Sequence, residues 1–208
     1  MAMKNKIKGD YYPNLWQSLG IVGIAILLMI VFSPVYVFLN DIVGSELSFL
    51  LYYLLTFGAT LGLTHYQRKK KTTEETYDLS FSSFKLMALV ALTIIGTQIG
   101  ITIPIVNSLP MPDFMQEMML QLANNKGIFS FIAIVIAAPV IEEFIFRGII
   151  LDGLLRRYTP IKSILISSVL FGVVHLNPWQ FISALILGLF SGWVYYRTKK
   201  LTLSIVIH

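Results

Sequence analysis

The chain reads as a series of long apolar runs separated by short polar stretches. A run of about 20 residues is long enough to cross a bilayer as a helix. Six runs are expected to be helical segments: 16–39 with Pro34 as its kink, 47–64, 86–106, 128–155, 164–176 and 181–196. A seventh begins at Leu201 and is truncated at His208, too short to span. The polar stretch after the second run opens on Arg68-Lys69-Lys70-Lys71 and continues to Lys85, and is expected to be a basic loop. Residues 111–123 place Phe114, Met118 and Leu122 on one helix face, with Asp113, Gln116 and Glu117 leaning to another. This predicts a short amphipathic helix lying on the membrane surface. The pattern predicts an all-α fold, a polytopic transmembrane helical bundle of about seven segments. Residues 1–208 would form a single membrane-embedded domain.

Composition sharpens this picture. Of 208 residues, 56% are hydrophobic and only 13% charged, against about 25% charged in an ordinary soluble domain. Cysteine is absent, so disulfides, thiolate metal sites and cysteine nucleophiles are excluded. The net charge of +5 is explained by where the charges lie, not by nucleic-acid binding. Lys4, Lys6 and Lys8, Arg68 to Lys71 with Lys85, Arg156, Arg157 and Lys162, and Arg197, Lys199 and Lys200 all fall on one side if every run spans. The opposite side holds Asp41, Glu46, Asp113 and Glu117, with Lys126 as its one cation. The asymmetry predicts a multi-pass protein of the cell membrane with a cytoplasmic N-terminus. Tyr11, Tyr12, Trp16, Trp193, Tyr195 and Tyr196 suit an interfacial belt. Three pairs spaced by four, Gly58/Gly62, Gly96/Gly100 and Gly188/Gly192, are expected to let helices approach closely.

The chemistry is concentrated in 128–208. Glu142, Glu143 and Arg147 stand in the middle of the fourth run. An ionisable group at that depth costs roughly 2.5–3.5 kcal/mol on insertion scales, so it faces protein or a wet cavity. Glu143 and Arg147 are four apart and can pair on one helix face. Glu142 lies about 100° round the helix and is left over. His175 sits inside the fifth run and His208 ends the seventh. Counted from the nearest cations, Glu142 and His175 are each roughly 20 Å deep, and His208 roughly 12 Å. His65, beside the basic stretch, is expected to be a solvated interface residue. A carboxylate beside imidazoles is a general base for water, and a second imidazole can stabilise an oxyanion; such a set could hydrolyse an amide bond. Zinc held by Glu142, His175 and His208 from three segments is the alternative. A proton relay would also use these residue types, but no inverted repeat is found.

Glu142-Glu143-x-x-x-Arg147, Phe171-x-x-x-His175 and His208 preceded by Leu201-Thr-Leu-Ser-Ile resemble the motifs of the CPBP intramembrane proteases. These are the CAAX-processing and bacteriocin-processing enzymes, also called the Abi family. The resemblance covers about 128–208, the motif-bearing catalytic core; the preceding residues match only as membrane helices. It implies a helical membrane endopeptidase acting without a cofactor on a membrane-associated or lipidated protein or peptide. Glu142 and His175 would activate water, His208 would hold the oxyanion, and Glu143 and Arg147 would support the site. The family's third motif usually carries an asparagine four residues after its histidine, beyond the end of this sequence. A non-catalytic bacteriocin-immunity or regulatory scaffold of the same fold is the competing reading. Lipid and a peptide or protein substrate are the expected partners, and nucleic acid is not.

Overall fold

A computed structural model describes residues 11–71, 77–124 and 127–208. Lys4, Lys6, Lys8 and Lys126, and the side chains of Met118 and Leu122, lie outside the described residues. The described chain is a bundle of eight helices. They are α1 (Leu15–Val43), α2 (Ser45–Lys71), α3 (Phe84–Asn107), α4 (Asp113–Asn124), α5 (Ile128–Leu155), α6 (Pro160–Val173), α7 (Pro178–Thr198) and α8 (Leu201–Ile207). Of these, α1, α2, α3, α5 and α7 are long and apolar enough to cross a membrane. The 14 residues of α6 fall short of that length. Large apolar side chains cover the outside, Leu27, Ile30, Leu92 and Ile134 among them. An outward apolar surface on helices of this length is that of a multi-pass membrane protein.

Local chemistry sets the helix ends. Asn14 caps α1, accepting from the backbone N–H of Gln17 while the Gln17 side chain accepts from Asn14 N–H, a reciprocal capping box. The joint to α2 is Gly44 at φ 80°, where a side chain would be strained. Thr56, Thr60 and Thr64 are buried on α2, and each hydroxyl donates to the carbonyl four residues back. Those polar groups are thus satisfied within the helix, as a water-free environment demands. The expectation of a basic loop from Arg68 is corrected: Arg68 to Lys71 are the last turn of α2. Cations there complement the negative end of the helix dipole.

Three stretches wind as π-helix: 98–102 in α3, and 132–137 and 144–151 in α5. Pro104 and Pro139 stand just beyond the first two. A proline has no N–H and crowds the carbonyl four residues back, so the ladder reorganises there.

α5 is the most enclosed helix over its second half, with Ile149, Ile150, Leu151 and Leu154 fully buried. α6 and α7 pack on it as a tight antiparallel pair. Gly188 and Gly192 make that pairing possible: a Cβ on Gly188 would lie 3.0 Å from Ser168 Cβ, and one on Gly192 3.2 Å from Ile164. The other two pairs do not serve close packing, because Gly58, Gly62, Gly96 and Gly100 have open space where a Cβ would point. Spacing alone marks a glycine-lined strip; whether a neighbour covers it depends on the partner helix.

The basic end of the bundle is tied by one carboxylate. Asp152 meets Arg68 at 3.0 Å, Arg156 at 3.3 Å and Lys199 at 3.2 Å, joining α2, α5 and the turn after α7. Arg68 also donates to the Gly148 carbonyl inside the last π stretch. Tyr195, expected in an interfacial belt, is buried instead, with Lys199 over its ring. At the other end, Glu46 accepts from the backbone N–H of Gly127 at 2.7 Å. There α4 forms as a helix with Phe114 exposed, and Met115 reaches Asn177 at 3.4 Å. His65 is exposed beside Tyr77.

Candidate active site

Glu142 and Glu143 sit halfway along α5, 5% and 0% exposed. Their neighbours differ, and so do their tasks. Glu143 is fully engaged: Arg147 approaches one oxygen at 2.9 Å, Ser191 donates to the other at 3.1 Å, and His208 Nδ1 lies 3.2 Å away. Arg147 is buried too, one turn further along α5, and its guanidinium stacks 4.6 Å from the centre of the Phe171 ring. The pair is close in distance but off hydrogen-bond alignment, and no nitrogen of Arg147 makes a hydrogen bond among the described residues. The contact is therefore charge neutralisation over an aromatic face more than a directed bond.

Glu142 points round the helix to another set. The Tyr53 hydroxyl of α2 donates to Oε1 at 2.8 Å. Its Oε2 is buried and has no hydrogen-bond partner among the described residues. His208 Nε2 stands 3.7 Å from it. An engaged carboxylate and a neighbour with one free acceptor are what a structural glutamate and a proton-accepting glutamate look like side by side.

The depth mismatch expected for His208 does not arise. After α7 the chain reverses through Lys199 at φ 59°, and Leu201 N–H bonds the Asp78 carbonyl at 2.9 Å. α8 then runs back beside α5 and delivers His208 to both glutamates.

His175 ends the turn after α6, half-buried. Its Nδ1 donates to the Phe171 carbonyl at 2.8 Å, and its ring meets the Phe171 ring edge-on at 5.2 Å. A carbonyl only accepts, so Nδ1 carries the proton and a neutral ring leaves Nε2 as the acceptor. His175 makes no ion pair with Glu142; the two are joined through Phe171. Phe171 also meets Phe146 at 5.0 Å and His208 at 5.6 Å. One phenyl ring thus supports both imidazoles and the guanidinium.

Tyr53 and Ser191 are the site residues that pattern reading passed over. Tyr53 lies mid-span, away from the interface where tyrosine is usual, and that displacement is a usable signal. Ser191 sits within the Gly188/Gly192 strip, so it necessarily faces the packed side. For zinc the donors do not fit: among the described residues no group of three or more histidine, aspartate or glutamate side chains is placed to hold a metal ion. No step is derived through a metal.

Fold and site together define a multi-pass membrane protein with a buried carboxylate–imidazole cluster. Residues 124–208 match the Rce1-like family, described as type II CAAX prenyl endopeptidase Rce1-like. The "Putative membrane peptidase YdiL" of Bacillus subtilis is 36% identical over 73 residues, which cover 35% of this chain and 30% of that protein. The chain therefore spans under a third of the length of this curated relative. No solved structure matches the chain. The motif-bearing part of the chain belongs to the CPBP family of CAAX-type proteases.

Proposed function

We propose that the protein is an intramembrane endopeptidase that hydrolyses a peptide bond of a membrane-associated or lipidated polypeptide with water activated by Glu142. One observation carries the reading: the buried Glu142 Oε2 lacks a partner among the described residues while facing His208 Nε2 at 3.7 Å. Tyr53 fixes the carboxylate by its other oxygen, so the free lone pairs have one direction. Glu142 takes a proton from the attacking water, and the two imidazoles on Phe171 orient that water and hold the developing oxyanion. Glu143 and Arg147 are positioning residues: Arg147 cancels the second carboxylate, and Glu143 orients His208 through Nδ1. The charge asymmetry of the helix ends supports a cytoplasmic N-terminus, and residues 128–208 are the catalytic core of a single membrane-embedded domain.

The family description makes a prenylated peptide with a CAAX end the first probe, followed by other lipidated and unmodified apolar peptides. Purified protein in liposomes should cleave at least one of these quenched-fluorescence reporters. Glu142→Gln should reduce the rate at least about a hundredfold, the lower range for losing a general base, with an unchanged melting midpoint. Equal cleavage by wild type and Glu142→Gln overturns the mechanism.

A further inference from the structure

A cleft of about 330 Å³ opens between α3 and the α7–α8 edge. Ile94, Ile95 and Ile99 wall one side, Leu187, Val206 and Ile207 the other, and His208 closes the inner end. The outer side is bilayer, because α3 exposes Ile95 and Ile99 by 52% and 65%. The cleft therefore leads from lipid to an imidazole that touches both glutamates.

Gln98 is the other polar residue lining it. Its Oε1 is buried, and its amide makes no hydrogen bond among the described residues. The backbone explains how it comes to lie there. Gln98 opens the π turn before Pro104, and its carbonyl accepts from Ile103 N–H, five residues on. The same turn leaves the buried Thr102 hydroxyl without a partner, whereas Thr93 and Thr97 bond back to the carbonyl four residues earlier. π turns inside α-helices are frequent at functional sites. An unpaired primary amide in an apolar cleft is costly. A lipid tail would leave that cost in place. A polypeptide backbone would remove it, since an amide offers a donor and an acceptor to match a backbone C=O and N–H.

We infer that this cleft is the lateral entrance for the apolar stretch of substrate flanking the scissile bond, and that Gln98 holds its backbone. The inference rests on the peptidase reading but concerns binding rather than bond cleavage. A volume near 300 Å³ is the lower end for ligand sites, so the cleft takes a few side chains of an extended strand, not a whole helix.

The probe is a short peptide of Leu, Ile and Ala carrying one diazirine, added to the full chain in liposomes and photolysed. Labelling should map to Ile95, Ile99 and Val206, in wild type and Glu142→Gln alike, and unlabelled peptide should compete. Gln98→Ala should weaken that competition about tenfold, the loss expected for one buried polar contact, and Gln98→Asn should recover part of it, at unchanged melting midpoints. With a cleavable reporter, Gln98→Ala should raise KM by the same factor and leave kcat within about twofold. Labelling on other faces, labelling that peptide cannot displace because lipid occupies the cleft, or wild-type competition by Gln98→Ala overturns the inference. If labelling behaves as stated while cleavage is independent of Glu142, the peptidase reading falls and the peptide cleft stands. If cleavage needs Glu142 while labelling goes elsewhere, the cleft alone falls.

Discussion

Replacing Arg147 with methionine removes a charge from one of the driest places in the molecule. The Arg147 and Glu143 side chains are 1% and 0% exposed, and their charged atoms are 2.9 Å apart. After Arg147→Met the Glu143 carboxylate keeps the Ser191 hydroxyl and His208 but loses its counter-charge. Breaking a buried pair by deleting one partner costs about 3–5 kcal/mol, because the remaining charge is stranded. The Phe171 ring also loses its cation, about 0.5–2 kcal/mol more when desolvated. Against a typical stability of about 5–15 kcal/mol, that is a severe loss. Deleting both charges should act differently. None of the Arg147 nitrogens makes a hydrogen bond among the described residues, so the pair is not supported by the surrounding bonds that would repay its desolvation. Glu143→Leu combined with Arg147→Met should therefore recover at least half of the stability lost by Arg147→Met, while leaving His208 unheld and cleavage lost. The measurement is reversible denaturation in mixed micelles, with a double-mutant cycle across the pair. A single-variant loss below about 1 kcal/mol, or a double variant less stable than Arg147→Met, would refute the account of Glu143 as a neutralised positioning residue.

Other outcomes follow from single contacts. Tyr53→Phe removes the donor to Glu142 Oε1; a hydrogen bond to a charged group is worth about 1.5–3 kcal/mol, so cleavage should fall roughly tenfold or more, and a wild-type rate would show that Glu142 is held by something else. Gly58→Ala should be neutral or stabilising by up to about 1 kcal/mol, since a helix gains from alanine and nothing lies within 4 Å. Gly188→Ala should cost about 1–3 kcal/mol by overpacking, because its Cβ would sit 3.1 Å from the Ser168 backbone; equal midpoints for these two variants would refute the packing assignment. Cleavage should survive 1,10-phenanthroline and prolonged chelator dialysis, and loss restored specifically by zinc would replace the metal-free mechanism.

Composition and run length alone determine that this is a helical membrane protein, because a bilayer accepts few other backbones and the required length is set by its thickness. They also locate Glu142, Glu143, Arg147, His175 and His208 as candidates, because ionisable groups in apolar runs are costly enough to stand out. The intervals between those residues were sufficient to suggest the family to which 124–208 belong. The division of labour between the two glutamates was not legible: it depends on which neighbour each one meets, Ser191, Arg147 and His208 for one, Tyr53 and His208 for the other. Nor could residue counting bring His208 to the carboxylates. That depends on a reversal at Lys199 and on a backbone bond to Asp78, far away in sequence. The glycine pairs teach the same lesson, since identical spacing serves close packing in α7 and open space in α2 and α3. Sequence period sets which face of a helix a residue occupies; only the docking of helices decides what that face meets.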